Sequence, residues 1–153
     1  MLATVRRLLA LLPGLCVLAA APASLARSTV VLPGFRSPSG NIQCLYNPGS
    51  PPFLWCSIGK ASYAKKLTAY CAQPRIGVDW AGFTLGKRSK GSVECSGGTL
   101  YDPTTQHPRY VTLPYGMTWR RGVFTCTSRT TGVTCRNSAG HGLFVSRESY
   151  RLF

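Results

Sequence analysis

Two cysteines near the end of the chain come close to naming each other as partners. Phe124 and Cys126 share one face of an extended segment, and after a polar turn Val133 and Cys135 do the same. That alternation predicts a β-hairpin with a cross-strand disulfide. The pattern recurs earlier. Ile42, Cys44 and Tyr46 alternate along one segment, and Leu54, Cys56 and Ile58 along the next. Between them, Asn47-Pro48-Gly49-Ser50-Pro51-Pro52 cannot continue a sheet, because three prolines remove backbone donors. Cys44 and Cys56 can therefore face each other across a hairpin.

A short motif links these segments. Gly40-Asn-Ile42-Gln-Cys44, Gly91-Ser-Val93-Glu-Cys95 and Gly122-Val-Phe124-Thr-Cys126 all read glycine, any residue, apolar, any residue, cysteine. In each, glycine opens a strand and the apolar residue shares a face with the sulfur. Six cysteines allow 15 connectivities. Each motif supplies one cysteine to one bridge, and sequence neighbours then pair as Cys44–Cys56, Cys71–Cys95 and Cys126–Cys135.

Residues 1–26 read as a secretory signal peptide. Arg6 and Arg7 form a charged start, Leu8 to Ala21 is apolar, and Ser24 and Ala26 suit a cleavage site. The apolar run is short for a membrane span, which needs about 20 residues. Leu15 before Cys16 is too large for lipid attachment at that cysteine. Cleavage leaves 127 residues with six cysteines, an even count that suits an exported, oxidised chain. The expected layout is a flexible lead over 27–34 and one disulfide-bonded β domain over 35–153.

Without Arg6 and Arg7, 16 basic residues stand against four acids, a net charge of +12. The acids are Asp79, Glu94, Asp102 and Glu148. Such a balance favours anionic partners: an envelope polymer, a lipid surface or, less favoured, nucleic acid. The candidate binding residues are Lys87, Arg88 and Lys90, with Arg120 and Arg121. No long basic run resembles a nucleic-acid arm.

Sixteen glycines and eleven prolines break the chain into short segments. The expectation is all-β: a small disulfide-stapled antiparallel sandwich or partly open barrel built from hairpins. Gly59 to Tyr70 is ambiguous, with one or two helical turns suggested by Leu67 and Tyr70. Asp79-Trp80 and Phe83 to Leu85 suggest a strand, Val93 to Cys95 another, and Val111 to Leu113 a short one. Tyr101 to Pro108 reads as a polar turn region.

Phe35-x-Ser-Pro-Ser-Gly-Asn-Ile-x-Cys44, Asp79-Trp80, Leu113-Pro-Tyr-Gly116, Gly132-Val-Thr-Cys-x-Asn137, Gly140-His-Gly142 and the ending Ser146-Arg-x-x-Tyr-x-Leu-Phe153 form an ordered set. The set resembles a family of small exported bacterial proteins, mainly actinobacterial, classed as a domain of unknown function. The resemblance covers Phe35 to Phe153. It implies an exported, disulfide-bonded β domain and carries no catalytic residues to transfer.

Catalysis is weighed through His141, whose glycine neighbours would let a substrate approach its ring. Candidate partners are Asp79, Glu94 and Asp102, and candidate nucleophiles are Ser37, Ser39 and Ser146. A small secreted hydrolase of phosphodiesters or glycans would use such a set. The plainer account makes His141 a turn residue whose ring bonds a backbone carbonyl. Two histidines and four carboxylates offer little to a metal, and no cofactor is expected. Trp55, Trp80 and Trp119 are expected in the core rather than in a carbohydrate platform, and Asp79 could pair with an arginine inside the fold. The favoured function is a non-enzymatic exported domain, associated with anionic envelope or extracellular partners through its basic surface.

Overall fold

The computed structural model describes residues 30–74 and 76–153. The expected signal peptide lies outside the described residues, as does the lead up to residue 29. The rest of that lead is not a loose arm. Val30–Arg36 is a strand, β1, which begins five residues before Phe35.

The fold is a two-sheet all-β sandwich, not a closed barrel. The first sheet contains β1, β2 (Ile42–Asn47), β3 (Phe53–Ile58), β4 (Trp80–Gly86), β5 (Gly91–Cys95) and β6 (Gln106–Thr112), in the order β5-β4-β3-β2-β1-β6. The second contains β7 (Thr118–Arg121), β8 (Phe124–Arg129), β9 (Gly132–Arg136), β10 (Gly142–Val145) and β11 (Tyr150–Leu152), in the order β11-β10-β9-β8-β7. All pairings are antiparallel except β1 with β6, which run parallel. The expected sandwich built from hairpins is present, with this one parallel pair at its edge.

Strand β6 also extends the expected segment at Val111 back through Pro108 to Gln106. Proline is tolerated because β6 is an edge. Leu113 N–H donates to Arg36 C=O, so alternate donors face β1 and position 108 faces away. Its missing N–H breaks no ladder bond.

The three expected bridges form: Cys44–Cys56, Cys71–Cys95 and Cys126–Cys135. Cys44 pairs with Cys56 in register, and Cys126 with Cys135. These two bridges pack on each other across the sandwich, with the sulfurs of Cys44, Cys56 and Cys135 within 4.8 Å of one another. All three sulfurs are in disulfides, so none is a thiolate able to take a metal. Around them lie Phe35, Leu54, Phe83, Phe124, Val133 and Leu143, all at most 1 % exposed. Each bridge is worth roughly 2–4 kcal/mol.

The ambiguous segment becomes α1 (Ala64–Cys71). Its buried residues are Leu67 and Cys71, four apart on one helical face, while Tyr70 is exposed. The helix is therefore set by the Cys71 tether rather than by the Leu67–Tyr70 spacing. Tyr63, just before it, packs on Trp80, Phe83 and Tyr150 with ring centroids 4.8–6.2 Å away. It closes the flank between the two sheets.

Candidate functional site

Strand directions sort the turns into two ends. One end carries the β2–β3, β4–β5, β7–β8 and β9–β10 turns. The other carries the β1–β2, β8–β9 and β10–β11 turns and the start of the β3–α1 link.

The first end is basic. Lys87, Arg88 and Lys90 sit in the β4–β5 turn, Arg120 and Arg121 lead into the β7–β8 turn, and Arg136 and His141 flank the β9–β10 turn. All six cations are exposed. Two of these turns are locked together by Asn137, which is 6 % exposed. Its Nδ2 donates to the carbonyls of Gly86 and Ser89, both at 2.9 Å. Its Oδ1 accepts the N–H groups of Ala139 and His141, at 3.0 and 3.1 Å. One amide thus closes its own turn and holds the Lys87–Lys90 loop against it. The role expected of the His141 ring belongs instead to Asn137 and to the His141 backbone, whose C=O accepts from Asn137 N–H.

The acids do not gather around His141. Asp79 is exposed and precedes β4, at the end opposite His141, rather than lying inside the fold with an arginine. Glu94 points from the outer face of the first sheet and accepts from Thr84 Oγ1 at 3.1 Å, in a hollow of about 360 Å³ with Phe53 and Leu100. Asp102 accepts from Thr104 and Thr105 within its own turn, and these bonds hold its carboxyl below the usual range.

The second end holds a cleft of about 610 Å³. Ser37, Ser39 and Ser146 all line it, together with Lys60, Arg129, Arg147 and Glu148. Its hydroxyls are already engaged. Ser37 Oγ accepts Ile42 N–H and lies 3.1 Å from Ser39 Oγ. Ser146 Oγ accepts from Glu148 and Ser149 N–H. Asn41 clamps the adjoining turn, donating to Lys60 C=O at 3.0 Å and accepting Lys60 N–H at 2.8 Å. The serines are turn-forming groups of a polar cleft, with His141 at the far end of the molecule.

The tryptophans divide. Trp80 and Trp119 pack against the core. Trp55, opposite Leu45 in register, lies on the outer face of the first sheet and donates its indole N–H to Ala81 C=O at 2.8 Å. Sequence reasoning met Asn137 and Arg147 only as motif residues, without a role, and passed over Lys60 and Arg129. The Asn-x-x-Gly spacing of a turn was the available signal for Asn137.

The profile of a family of unknown function, DUF6636, matches residues 10–153. The chain belongs to this family. The matched stretch contains the three bridges, both ends of the sandwich and the Gly140-His141-Gly142 turn. No curated protein and no solved structure matches the chain. Three disulfides point to an oxidising, extracytoplasmic environment. Among the described residues, no helix is long and apolar enough to cross a membrane.

Proposed function

We propose that this DUF6636 member is an exported, non-catalytic binding domain that associates with anionic partners of the cell envelope or medium. One observation carries the reading. Two basic clusters, at Lys87–Lys90 and Arg120–Arg121, and the single Arg136, all separate in sequence, lie at one end of the sandwich. None of the four turns at that end contains an acid. Like charges held together by rigid turns repel one another unless an anion neutralises them, so this end favours a polyanion. The N-terminal leader and the three bridges support export.

The test uses purified, oxidised protein and soluble anionic and neutral polymers over a salt series. Binding to the anionic polymer should weaken steeply as salt rises, through counterion release. Changing Lys87, Arg88 and Lys90 together to Ser should lower affinity and leave Tm almost unchanged, because exposed charges contribute little to stability. Binding that ignores salt, or no binding to any polyanion, would overturn the proposal.

A further inference from the structure

Beyond the turns, the outer face of the second sheet carries its own charge pattern. Along β7, β8, β9 and β11, the residues alternating with the core positions are Arg120, Arg129, Arg136 and Arg151, all exposed. Residues 118–153 hold six arginines, no lysine and one acid, Glu148. Glu148 lies in the β10–β11 turn, off the face. Between the arginines run threonines. Thr118, Thr127 and Thr134 form one cross-strand row, continued by Phe144 and Arg151. A second row aligns Arg120, Thr125 and Arg136.

Two phenyl rings on this face pack against glycines of the sheet. A Cβ at Gly132 would fall 2.9 Å from the Phe144 ring, and one at Gly142 would fall 2.8 Å from the Phe153 ring. Each ring therefore covers a glycine. Arg136 stands 4.6 Å from the Phe153 centroid and Arg151 stands 5.5 Å from it. These stacks hold both guanidiniums in place. The face continues at one end into the basic turns and at the other, through Arg129, into the polar cleft.

We infer that this face binds an extended acidic polysaccharide, laid across the sheet. The inference rests on the polyanion reading above and names its chemistry and its seat. Arginine forks match carboxylates in two-point hydrogen bonds. Threonine hydroxyls, each donor and acceptor, match sugar hydroxyls. Binding of single-stranded nucleic acid draws on open aromatic faces for base stacking, and the two phenyl rings of this face are instead set against glycines. Phe153 packs against Gly142 and has two guanidiniums close by. Among the described residues, no acidic side chain stands on this face to oppose a chain of carboxylates.

The experiment measures binding of polygalacturonate to the full, disulfide-bonded protein, with neutral dextran, single-stranded DNA and anionic phospholipid vesicles as competitors. Arg129, Arg136 and Arg151 are changed together to Ser. Thr127→Glu is the second variant. It places one negative charge in the middle of the face at a part-exposed position and keeps every arginine. Polygalacturonate binding should fall by roughly tenfold or more in both variants, since each removes or cancels charges that the polymer neutralises. Dextran and vesicles should not compete. If both variants bind as wild type does while the Lys87/Arg88/Lys90 variant loses affinity, the seat is the basic turns and this inference fails, with the polyanion reading intact. If DNA binds this face more tightly than polygalacturonate, the polymer class is wrong. If no polyanion binds wild type at all, both readings fall.

Discussion

The two sheets of this sandwich meet over one core, yet their outer faces are treated in opposite ways. The first sheet is buried on both sides over part of its width. Leu32 and Leu45 are at most 2 % exposed but stand apart from the central cluster, on the outer face. Tyr110 folds back over Gly34, where a Cβ would lie 2.9 Å from its ring, and Leu100 comes down beside Phe53. Burial beside Tyr101 pushes the Tyr110 hydroxyl above its ordinary range. The chain thus caps this sheet with its own segment between β5 and β6. Among the described residues the second sheet has no such cap, and its outer face carries arginine and threonine with Phe144 and Phe153 set among them. Both sheets feed the shared core, but only the first is also buried over part of its outer face, while the second turns polar and charged side chains outward.

The sharpest way to break this comparison is to truncate matching outer positions. Leu45→Ala removes a buried side chain from the capped face and should cost about 2–5 kcal/mol, from lost burial plus a cavity. Thr127→Ala, central on the bare face, should stay within about 0.5 kcal/mol. Denaturant titration of both variants reads the contrast directly. Equal losses would mean that the second face is covered after all, and that its arginines are not free to meet a partner.

A second prediction concerns the residue that ties the sheets together at the basic end. Asn137→Ala leaves the carbonyls of Gly86 and Ser89 without their donor and two turn N–H groups without their acceptor. It should cost about 2–3 kcal/mol. Asn137→Asp retains the acceptor but sets a carboxylate against two carbonyl oxygens, and should be at least as damaging. Both should also loosen the Lys87–Lys90 loop and weaken polyanion binding more than their effect on folding explains. A variant that keeps full stability would show that the two turns are held by something other than this amide.

Legibility in the sequence divides along the same line. In the second sheet a strict alternation from Phe124 to Cys126 and from Val133 to Cys135 marked inside from outside. The hairpin and its bridge followed from it. That alternation also placed Thr125, Thr127 and Arg129 on the opposite face, but a single strand does not reveal that its neighbours carry arginine too. Register does that, and register is a tertiary property. In the first sheet the pattern blurs, because Leu45 is buried as deeply as its neighbour Cys44. The parallel β1–β6 pair joins residues more than seventy positions apart, with a proline inside one strand, and local periodicity has no means of seeing it. The basic end was hidden for a related reason. Lys87–Lys90 and Arg136 are distant in sequence, and tertiary contacts, the Asn137 amide bonds among them, bring their turns together.

The smallest expected effect tests the flank that joins the sheets. Tyr63 Oη donates to Ser146 C=O at 2.9 Å, and its ring packs on Tyr150 of the second sheet and Phe83 of the first. Burial, with smaller contributions from Tyr150 and Glu148, pushes the Tyr63 hydroxyl well above its ordinary value of about 10. The neutral phenol is therefore favoured in the folded state. Its contribution is fully present below about pH 10, and is lost as the pH rises above that value, where the unfolded chain ionises and the folded one resists. Tyr63→Phe keeps the ring and removes both the hydrogen bond and the titration. At neutral pH it should cost about 1 kcal/mol. Above pH 10 the gap between the two proteins should narrow, since only wild type loses the Tyr63 contribution. The other tyrosines are common to both proteins and cancel in the difference. Stability curves measured for the pair from pH 7 upward check this, and a gap that stays constant through the alkaline range would place the Tyr63 hydroxyl in solvent, with the flank open between the sheets.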